Sequence, residues 1–173
     1  DRLIDLKTTP GVFSHRRLDT GARCLIETME VMAGDRILDL GCGSGGVGIA
    51  AALRAPETHV TMVDVNPRAL ACAEWGLKKN EVRQFETCLN AYVEVEPSGS
   101  YDLVLANPPY YSDQQIAKIM FEGGFKALRP AGMMLLVTKQ PEWYHEQYGD
   151  KVAEYQSWSW RSYTIIAVRQ FDD

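Results

Sequence analysis

The sequence predicts an α/β fold, in which a mostly parallel sheet of seven strands lies between two layers of helices. Short apolar runs alternate along the chain with segments of helical periodicity, a pattern typical of a parallel sheet covered on both faces. A glycine-rich turn separates the first strand from the helix that follows it. The last two strands, at 152–159 and 162–169, are joined by very little chain and should pair as an antiparallel hairpin, which makes the sheet mixed.

The other strands are predicted from apolar runs bounded by turn residues. In chain order they cover 36–40, 59–64, 83–89, 101–106 and 133–138. The Arg-Pro-Ala-Gly sequence at 129–132 is predicted to form the turn into the last of these five strands.

Helices are predicted from their periodicity and from their caps. They cover 20–32, 47–54, 113–128 and two further segments that begin after Asn66 and after Pro141. Asp19 or Thr20 caps the first helix, and Asn66 caps the third. The residues expected to face the core from the 113–128 helix are Ile116, Ile119, Met120 and Ala127.

The composition is that of an ordinary globular domain. With 173 residues, the chain is predicted to form a single domain, comprising an arm and helix at 1–32 and a core at 33–173. The net charge of −5 argues against a domain that grips nucleic acid by bulk electrostatics alone. No apolar run approaches the length of a membrane span, and the first residues show no signal-peptide pattern. The absence of an initiating Met is expected of a piece of a longer protein.

The cysteines indicate a reducing compartment. The four of them, Cys24, Cys42, Cys72 and Cys88, form no C-x-x-C pair and have no His-rich tract nearby. We therefore expect reduced thiols in a cytoplasmic protein and no metal site.

A glycine-rich turn at 39–45, Asp-Leu-Gly-Cys-Gly-Ser-Gly, lies between the first strand and the next helix. Glycines let the backbone turn tightly and approach a ligand. The spacing differs from the G-x-G-x-x-G of dinucleotide binders, and no Lys-Ser/Thr pair follows, which excludes a P-loop. Asp64 ends the next strand, where a carboxylate can accept the hydroxyls of a ribose. A helix cap or a solvated acid is the plainer interpretation of Asp64.

The strand at 101–106 runs into Asn-Pro-Pro-Tyr at 107–110. Two prolines fix the backbone and remove two N–H donors. The Asn107 oxygen and the Pro108 carbonyl can each accept an N–H of a planar amino group, and the ring of Tyr110 can stack on that plane. The alternative is a Pro-Pro turn with an incidental Asn.

Residues 38–45 resemble the nucleotide-loop motif of class I S-adenosylmethionine (AdoMet)-dependent methyltransferases, and 107–110 resemble their amino-methylating motif. A third stretch, Thr-Pro-Gly-Val-Phe-Ser at 9–14 followed by Leu-Asp-Thr-Gly at 18–21, resembles the start of the small methyltransferase domain. That domain is the catalytic half of bacterial enzymes that methylate guanine N2 in ribosomal RNA. The resemblance covers about residues 5 to 169 and implies a Rossmann-like class I methyltransferase fold.

The resemblance implies a role for each matching position. The cofactor-binding residues are Phe13, Asp39, Gly41, Cys42, Gly43, Asp64, Val65, Asn90 and Asn107, and the catalytic ones are Asn107, Pro108 and Tyr110. Asp39 and the glycines would line the methionine end, Asp64 would hold the ribose, and Val65 and Asn90 the adenine. Two of these positions keep a second interpretation, since Asn90 suits a turn and Phe13 suits an anchor for the N-terminal arm.

The implied activity is AdoMet-dependent methylation of an exocyclic amino group, with guanine N2 in ribosomal RNA as the first expected substrate. Ribosomal guanine enzymes of the family commonly carry Phe and then His after the two prolines, whereas this chain has Tyr110 and Tyr111. Tyr is commoner in adenine-N6 and glutamine-N5 methyltransferases, so both remain alternatives. A scaffold domain without catalysis is a remote third, because both motifs are intact.

The family's ribosomal enzymes also carry a second, RNA-binding domain, so we expect a further domain or a partner to recruit the nucleic acid. Within this chain, 15–17 (His-Arg-Arg) could meet an RNA phosphate or form a solvated arm. Trp158 and Trp160 share one face of the terminal hairpin and are expected to pack against a helix more often than to stack on bases.

Overall fold

The computed structural model describes residues 3–12, 18–90, 99–109 and 114–171. Their sheet has seven strands in the order β3-β2-β1-β4-β5-β7-β6. The strands are β1 (Arg36–Leu40), β2 (His59–Asp64), β3 (Phe85–Leu89), β4 (Tyr101–Ala106), β5 (Leu128–Thr138), β6 (Glu154–Trp160) and β7 (Tyr163–Arg169). The helices are α1 (Thr20–Thr28), α2 (Gly46–Ala52), α3 (Pro67–Lys79), α4 (Gln114–Ala127) and α5 (Pro141–Tyr148).

The sheet is mixed in the way the sequence predicts. Strands β1 to β5 pair in parallel, and β7 is antiparallel to both β5 and β6. One core cluster joins α1, α2 and α3 to one face of the sheet, and a second joins α4 and α5 to the other face. The predicted α/β class, with two helix layers and a terminal hairpin, is therefore confirmed.

Local rules explain most boundaries. Asp19 caps α1 by accepting from the N–H groups of Gly21 and Ala22, and Asn66 caps α3 ahead of Pro67. Both caps were predicted. Trp158 and Trp160 are partly buried against the core cluster on the α1 side, which confirms the packing interpretation.

Three expectations are wrong. Helix α1 ends at Thr28 rather than at residue 32, because Met29 turns to an extended conformation. The predicted turn at 129–132 lies inside β5, where β4 and β5 shift register between Tyr101 and Leu103 and Ala131 takes a positive φ of 59°. Ile116 and Ile119 on α4 do not face the core, since their exposed fractions are 44% and 40%.

Among the described residues, no helix is both long enough and apolar enough to cross a membrane. The same residues contain no group of three or more His, Cys, Asp or Glu side chains placed to hold a metal ion. The four cysteines are free thiols, of which three are buried.

Candidate active site

A cleft opens at the carboxyl ends of the parallel strands, where β1 has β2 on one side and β4 on the other. Ligands of open α/β sheets bind at this kind of switch in strand order. The cleft measures about 390 Å³. Its walls are formed by Gly11, Gly41, Gly43, Val63, Asp64, Val65, Asn66, Ala69, Asn90, Asn107, Pro109, Ile116, Ile119 and Met120.

The glycine loop forms the floor of this cleft. The carbonyl of Val63 accepts the N–H groups of both Gly41, at 2.8 Å, and Cys42, at 3.0 Å, which ties the loop to the end of β2. Gly41 and Gly43 have φ values of 67° and 54°, where L side chains are strained. A Cβ added at Gly43 would meet no atom within 4 Å, so the backbone there borders open space in which a ligand can approach.

Asp64 is held by the loop it faces. Its Oδ2 accepts from the Gly43 N–H at 2.8 Å, and its Oδ1 accepts from the Asn66 N–H at 2.9 Å. Each carboxylate oxygen has two lone pairs, so each can also accept a hydroxyl proton. Asp64 lines the cleft, so its carboxylate can accept further hydrogen bonds there.

The side chains of Asp39 and Cys42 are buried and are not part of the cleft wall. Asp39 is 3% exposed, and its Oδ2 accepts from the Gly48 N–H at 2.8 Å. Burial raises the pKa of this carboxyl from 3.8 to about 7, against the lowering effect of the Gly48 N–H, and the Asp64 charge adds to the rise. Burial, with the charges of Asp39 and Asp64, also raises the pKa of the Cys42 thiol.

The opposite wall comes from the end of β4. Ala106 pairs with Leu40 of β1, so Asn107 follows β4 beside the start of the glycine loop. Pro108 is buried and Pro109 is exposed in the cleft wall. The Nδ2 group of Asn107 donates to Oδ2 of Asp19 at 2.9 Å. The carboxamide is therefore fixed by a residue that precedes α1.

The structure describes nine of the predicted site residues and brings eight of them to one sheet edge within or directly beside the cleft: Gly41, Gly43, Asp64, Val65, Asn90, Asn107, Cys42 and Pro108. Asp39 lies beneath them in β1, and its link to the loop passes through Gly48. Phe13 and Tyr110, like 15–17, lie outside the described residues.

Sequence reasoning missed part of the cleft. Ile116, Ile119 and Met120 of α4 form its apolar wall, and the Nδ2 group of Asn66 donates to the Gly11 carbonyl at 3.0 Å, which closes one end. An apolar stripe on α4 carried a signal, but a stripe that covers a ligand looks the same in sequence as one that covers a core. No sequence pattern indicated the hydrogen bond between Asn107 and Asp19.

A sheet of this order, with a glycine loop after β1, an acid at the end of β2 and Asn-Pro-Pro after β4, has the fold of a class I methyltransferase. The fold is matched by the solved 16S rRNA N2 G1207 methyltransferase of T. thermophilus in complex with AdoMet and guanosine, with a TM-score of 0.84 at 21% identity over 96% of this chain and 47% of that one. The chain belongs to the methyltransferase small domain family, whose model matches residues 3–166.

Curated relatives are consistent with this family. The chain is 29% identical over 175 residues to ribosomal RNA small subunit methyltransferase C of Escherichia coli (strain K12 / DH10B), covering 96% of this chain and 50% of that protein. It is 36% identical over 140 residues to ribosomal RNA large subunit methyltransferase G of Streptomyces avermitilis, covering 78% of this chain and 37% of that protein. The chain thus spans half or less of the curated relatives it matches.

Proposed function

We propose that the chain is an AdoMet-dependent N-methyltransferase that acts on an exocyclic amino group, with guanine N2 in ribosomal RNA as its substrate. One observation carries this proposal: the Asn107 carboxamide lines the same cleft as the glycine loop and Asp64. A methyl donor held by the loop and an amino group held by Asn107 would meet inside this cleft. The names of both curated relatives, which are ribosomal RNA methyltransferases, support the choice of nucleic acid.

The cleft suits AdoMet on this structure's own geometry. The space in front of Gly43 admits the methionine end, the Asp64 carboxylate accepts the ribose hydroxyls, and Val65, which is 65% exposed, offers an apolar face to the adenine. Asn90 lines the same end of the cleft. When bound, AdoMet supplies an electrophilic methyl group on a positively charged sulfur.

The acceptor residues act by orientation. A conjugated amino nitrogen is a poor nucleophile because its lone pair is delocalised into the ring. Asn107 Oδ1 and the Pro108 carbonyl would each accept one of its N–H groups, which would orient the lone pair toward the methyl group of the bound donor. Such positioning contributes roughly 7–11 kcal/mol in well-oriented reactions. The same oxygens stabilise the positive charge that develops on nitrogen. No strong base is needed, since the N–H becomes acidic once the nitrogen is methylated.

A patch at the same sheet edge supports a nucleic acid substrate. Lys139 Nζ lies 4.9 Å from the centroid of the Tyr163 ring, and the Arg161 guanidinium lies 4.6 Å from the centroid of Trp160. We call these four residues the cationic-aromatic patch. Asn107 follows Ala106, which pairs with Leu136 of β5, and Thr138 of β5 pairs with Thr164 of β7.

The patch therefore continues the edge that carries Asn107. Strand β7 is two strands from β4, which corresponds to about 10 Å at the usual strand spacing. Cations along this edge suit the phosphates that flank a target nucleotide. In a chain with a net charge of −5, this local pair of cations gives the polyanion a place to dock.

The test is transfer of labelled methyl from AdoMet to four acceptors: ribosomal RNA, ribosomal subunits, DNA and a protein release factor. Mass spectrometry of the nucleosides then identifies the product. N2-methylguanosine in ribosomal RNA is the expected result. N6-methyladenine or methylated glutamine would instead support the corresponding alternative activity. Cofactor binding without methyl transfer to any acceptor would contradict the proposed function.

The proposal also covers the cellular location of the enzyme and the delivery of its RNA substrate. The reduced thiols and the ribosomal substrate fit action in the cytoplasm. The curated relatives are about twice as long as this chain or longer, so a further domain or partner is proposed to deliver the RNA to the cleft.

A further inference from the structure

The side chain of Asn107 is joined to a residue far away in the sequence. Its Nδ2 group donates to Oδ2 of Asp19 at 2.9 Å, and 88 positions separate the two residues. The same oxygen of Asp19 accepts the N–H groups of Gly21, at 2.9 Å, and Ala22, at 3.3 Å. One carboxylate therefore caps α1 and contacts the proposed catalytic amide.

This contact determines which way the amide faces. A carboxamide presents an oxygen on one side and an NH₂ group on the other, and rotation by a half turn exchanges them. A carboxylate can only accept hydrogen bonds, so it bonds the NH₂ side. With Nδ2 bound to Asp19, Oδ1 must lie on the opposite edge of the planar amide and point away from the Asp19 carboxylate. An amide in the reverse orientation would offer N–H to an amino group, and two donors would face each other.

We propose that Asp19 is the positioning residue of the acceptor site, because it holds the Asn107 amide in the single orientation that can accept an N–H from the substrate. The inference rests on the proposed methyl transfer for its catalytic meaning. Asp19 does not touch the substrate or the reacting atoms; it acts through Asn107.

The carboxylate also changes the strength of the acceptor. A negative charge at the NH₂ end of an amide polarises it, which places more electron density on the oxygen. Oδ1 of Asn107 becomes a better acceptor, and the positive charge that develops on the substrate nitrogen is stabilised through the amide. Because Asp19 is the residue immediately before α1, the orientation of the Asn107 amide depends on where that helix packs.

Asp19→Ser separates the two roles of this residue. Serine is as good a helix cap as aspartate, so the bonds to Gly21 and Ala22 are kept and α1 remains folded. The serine hydroxyl is shorter by one bond and carries no charge. Glu27→Ser is the matched control: it removes a carboxylate from the same helix, where Glu27 pairs only with Arg23 on the exposed face among the bonds described.

The kinetic readout is methyl transfer to ribosomal RNA. For Asp19→Ser, kcat should fall about 10- to 100-fold, as expected from a misoriented reacting group. The Kd for AdoMet and the KM for RNA should each stay within about threefold, because Asp19 acts only on the oriented state. Glu27→Ser should match the wild type. A kcat for Asp19→Ser within twofold of the wild type would overturn the inference.

A second readout needs no substrate and no activity. In an ¹⁵N–¹H spectrum, the side-chain amide signal of Asn107, assigned by its loss in Asn107→Ala, should shift in Asp19→Ser and stay in place in Glu27→Ser. An unmoved signal in Asp19→Ser would also overturn the inference. If the wild type transfers no methyl to any acceptor while the signal moves as expected, the proposed function fails and the Asp19–Asn107 coupling stands.

Discussion

The two sides of the cleft are held in different ways. The cofactor side, formed by the glycine loop and Asp64, is fixed by backbone groups close by: the Val63 carbonyl binds two loop N–H groups, and Asp64 accepts from Gly43. On the acceptor side, Asn107 to Pro109, the Asn107 side chain donates to Asp19, which lies 88 positions away in the sequence. The cofactor side is therefore held by contacts between the ends of two adjacent strands, whereas the Asn107 amide on the acceptor side is also held by the residue that precedes α1.

The largest effect is expected from Asn107→Ala, which removes the acceptor side alone. Turnover should fall at least about 100-fold, because an oriented polar group that acts on the transition state is lost. AdoMet affinity should stay within a few-fold, since the loop and Asp64 are untouched. Single-turnover methyl transfer and calorimetric titration with AdoMet measure the two quantities, and wild-type turnover in this variant would refute the role of Asn107.

The next largest effect is expected on the cofactor side, from Asp64→Ala. Loss of charged hydrogen bonds worth about 1.5–3 kcal/mol should weaken AdoMet binding by roughly 10- to 100-fold. The freed Gly43 N–H should also loosen the loop. Calorimetry measures the change, and Glu86→Ala, which removes an equal charge from an exposed position on β3, should bind AdoMet normally. An unchanged Kd for Asp64→Ala would mean that the ribose lies elsewhere.

The free energy of unfolding should depend on pH because of Asp39, which is buried beneath the cofactor side. The folded pKa of Asp39, about 7, lies above its ordinary value of 3.8, so the folded protein holds the proton more tightly than the unfolded chain does. The Asp39 contribution to stability is therefore complete below pH 4 and is lost as the pH rises toward 7, with a slope of up to about 1.4 kcal/mol per pH unit.

Urea unfolding of the wild type and of Asp39→Asn at pH 5 and pH 8 isolates this contribution. The asparagine oxygen can still accept from the Gly48 N–H, and the side chain cannot ionise. The wild type should lose more stability than the variant between the two pH values. Equal losses would show that Asp39 is ionised throughout.

The smallest effect is expected from the cationic-aromatic patch. Lys139→Ala with Arg161→Ala should lower the slope of log affinity for RNA against log salt by about 1–2, as expected for two lost phosphate contacts. AdoMet binding should not change. The control is Lys78→Ala with Lys79→Ala at the end of α3, two exposed cations at the far edge of the sheet. Equal slopes of log affinity against log salt for the two double variants would show that the cationic-aromatic patch does not contact the RNA.

The order of helices and strands could be predicted from the sequence because each element is specified locally. Apolar runs mark the buried strands, and Asn66 with Pro67 marks the start of α3. The glycine loop was found for the same reason, since its tight turns need glycine at alternate positions.

The features that could not be predicted from the sequence depend on contacts between residues that are distant in the chain. Residues 129–132 have the residue types of a turn. In the structure, the Gly132 carbonyl accepts from the Gln170 N–H and the Ala131 carbonyl accepts from the Arg169 guanidinium. These two bonds keep the segment in the sheet. Pairing with β7 therefore overrides the local preference. The bond from Asn107 to Asp19 is of the same kind, because the sequence shows a helix cap and an Asn-Pro-Pro motif but not their meeting.

The apolar rim of the cleft affects how stable and how prone to association the unliganded protein is. Val65, Ile116 and Ile119 are 65%, 44% and 40% exposed, so the empty cleft presents aliphatic surface to water. Exposed patches of this kind favour association with other proteins. A ligand that covers them stabilises the folded chain by mass action, by about 2.7 kcal/mol when its concentration is 100 times its Kd. A bound methyl donor would thus protect the proposed enzyme from aggregation and proteolysis in addition to serving as its substrate.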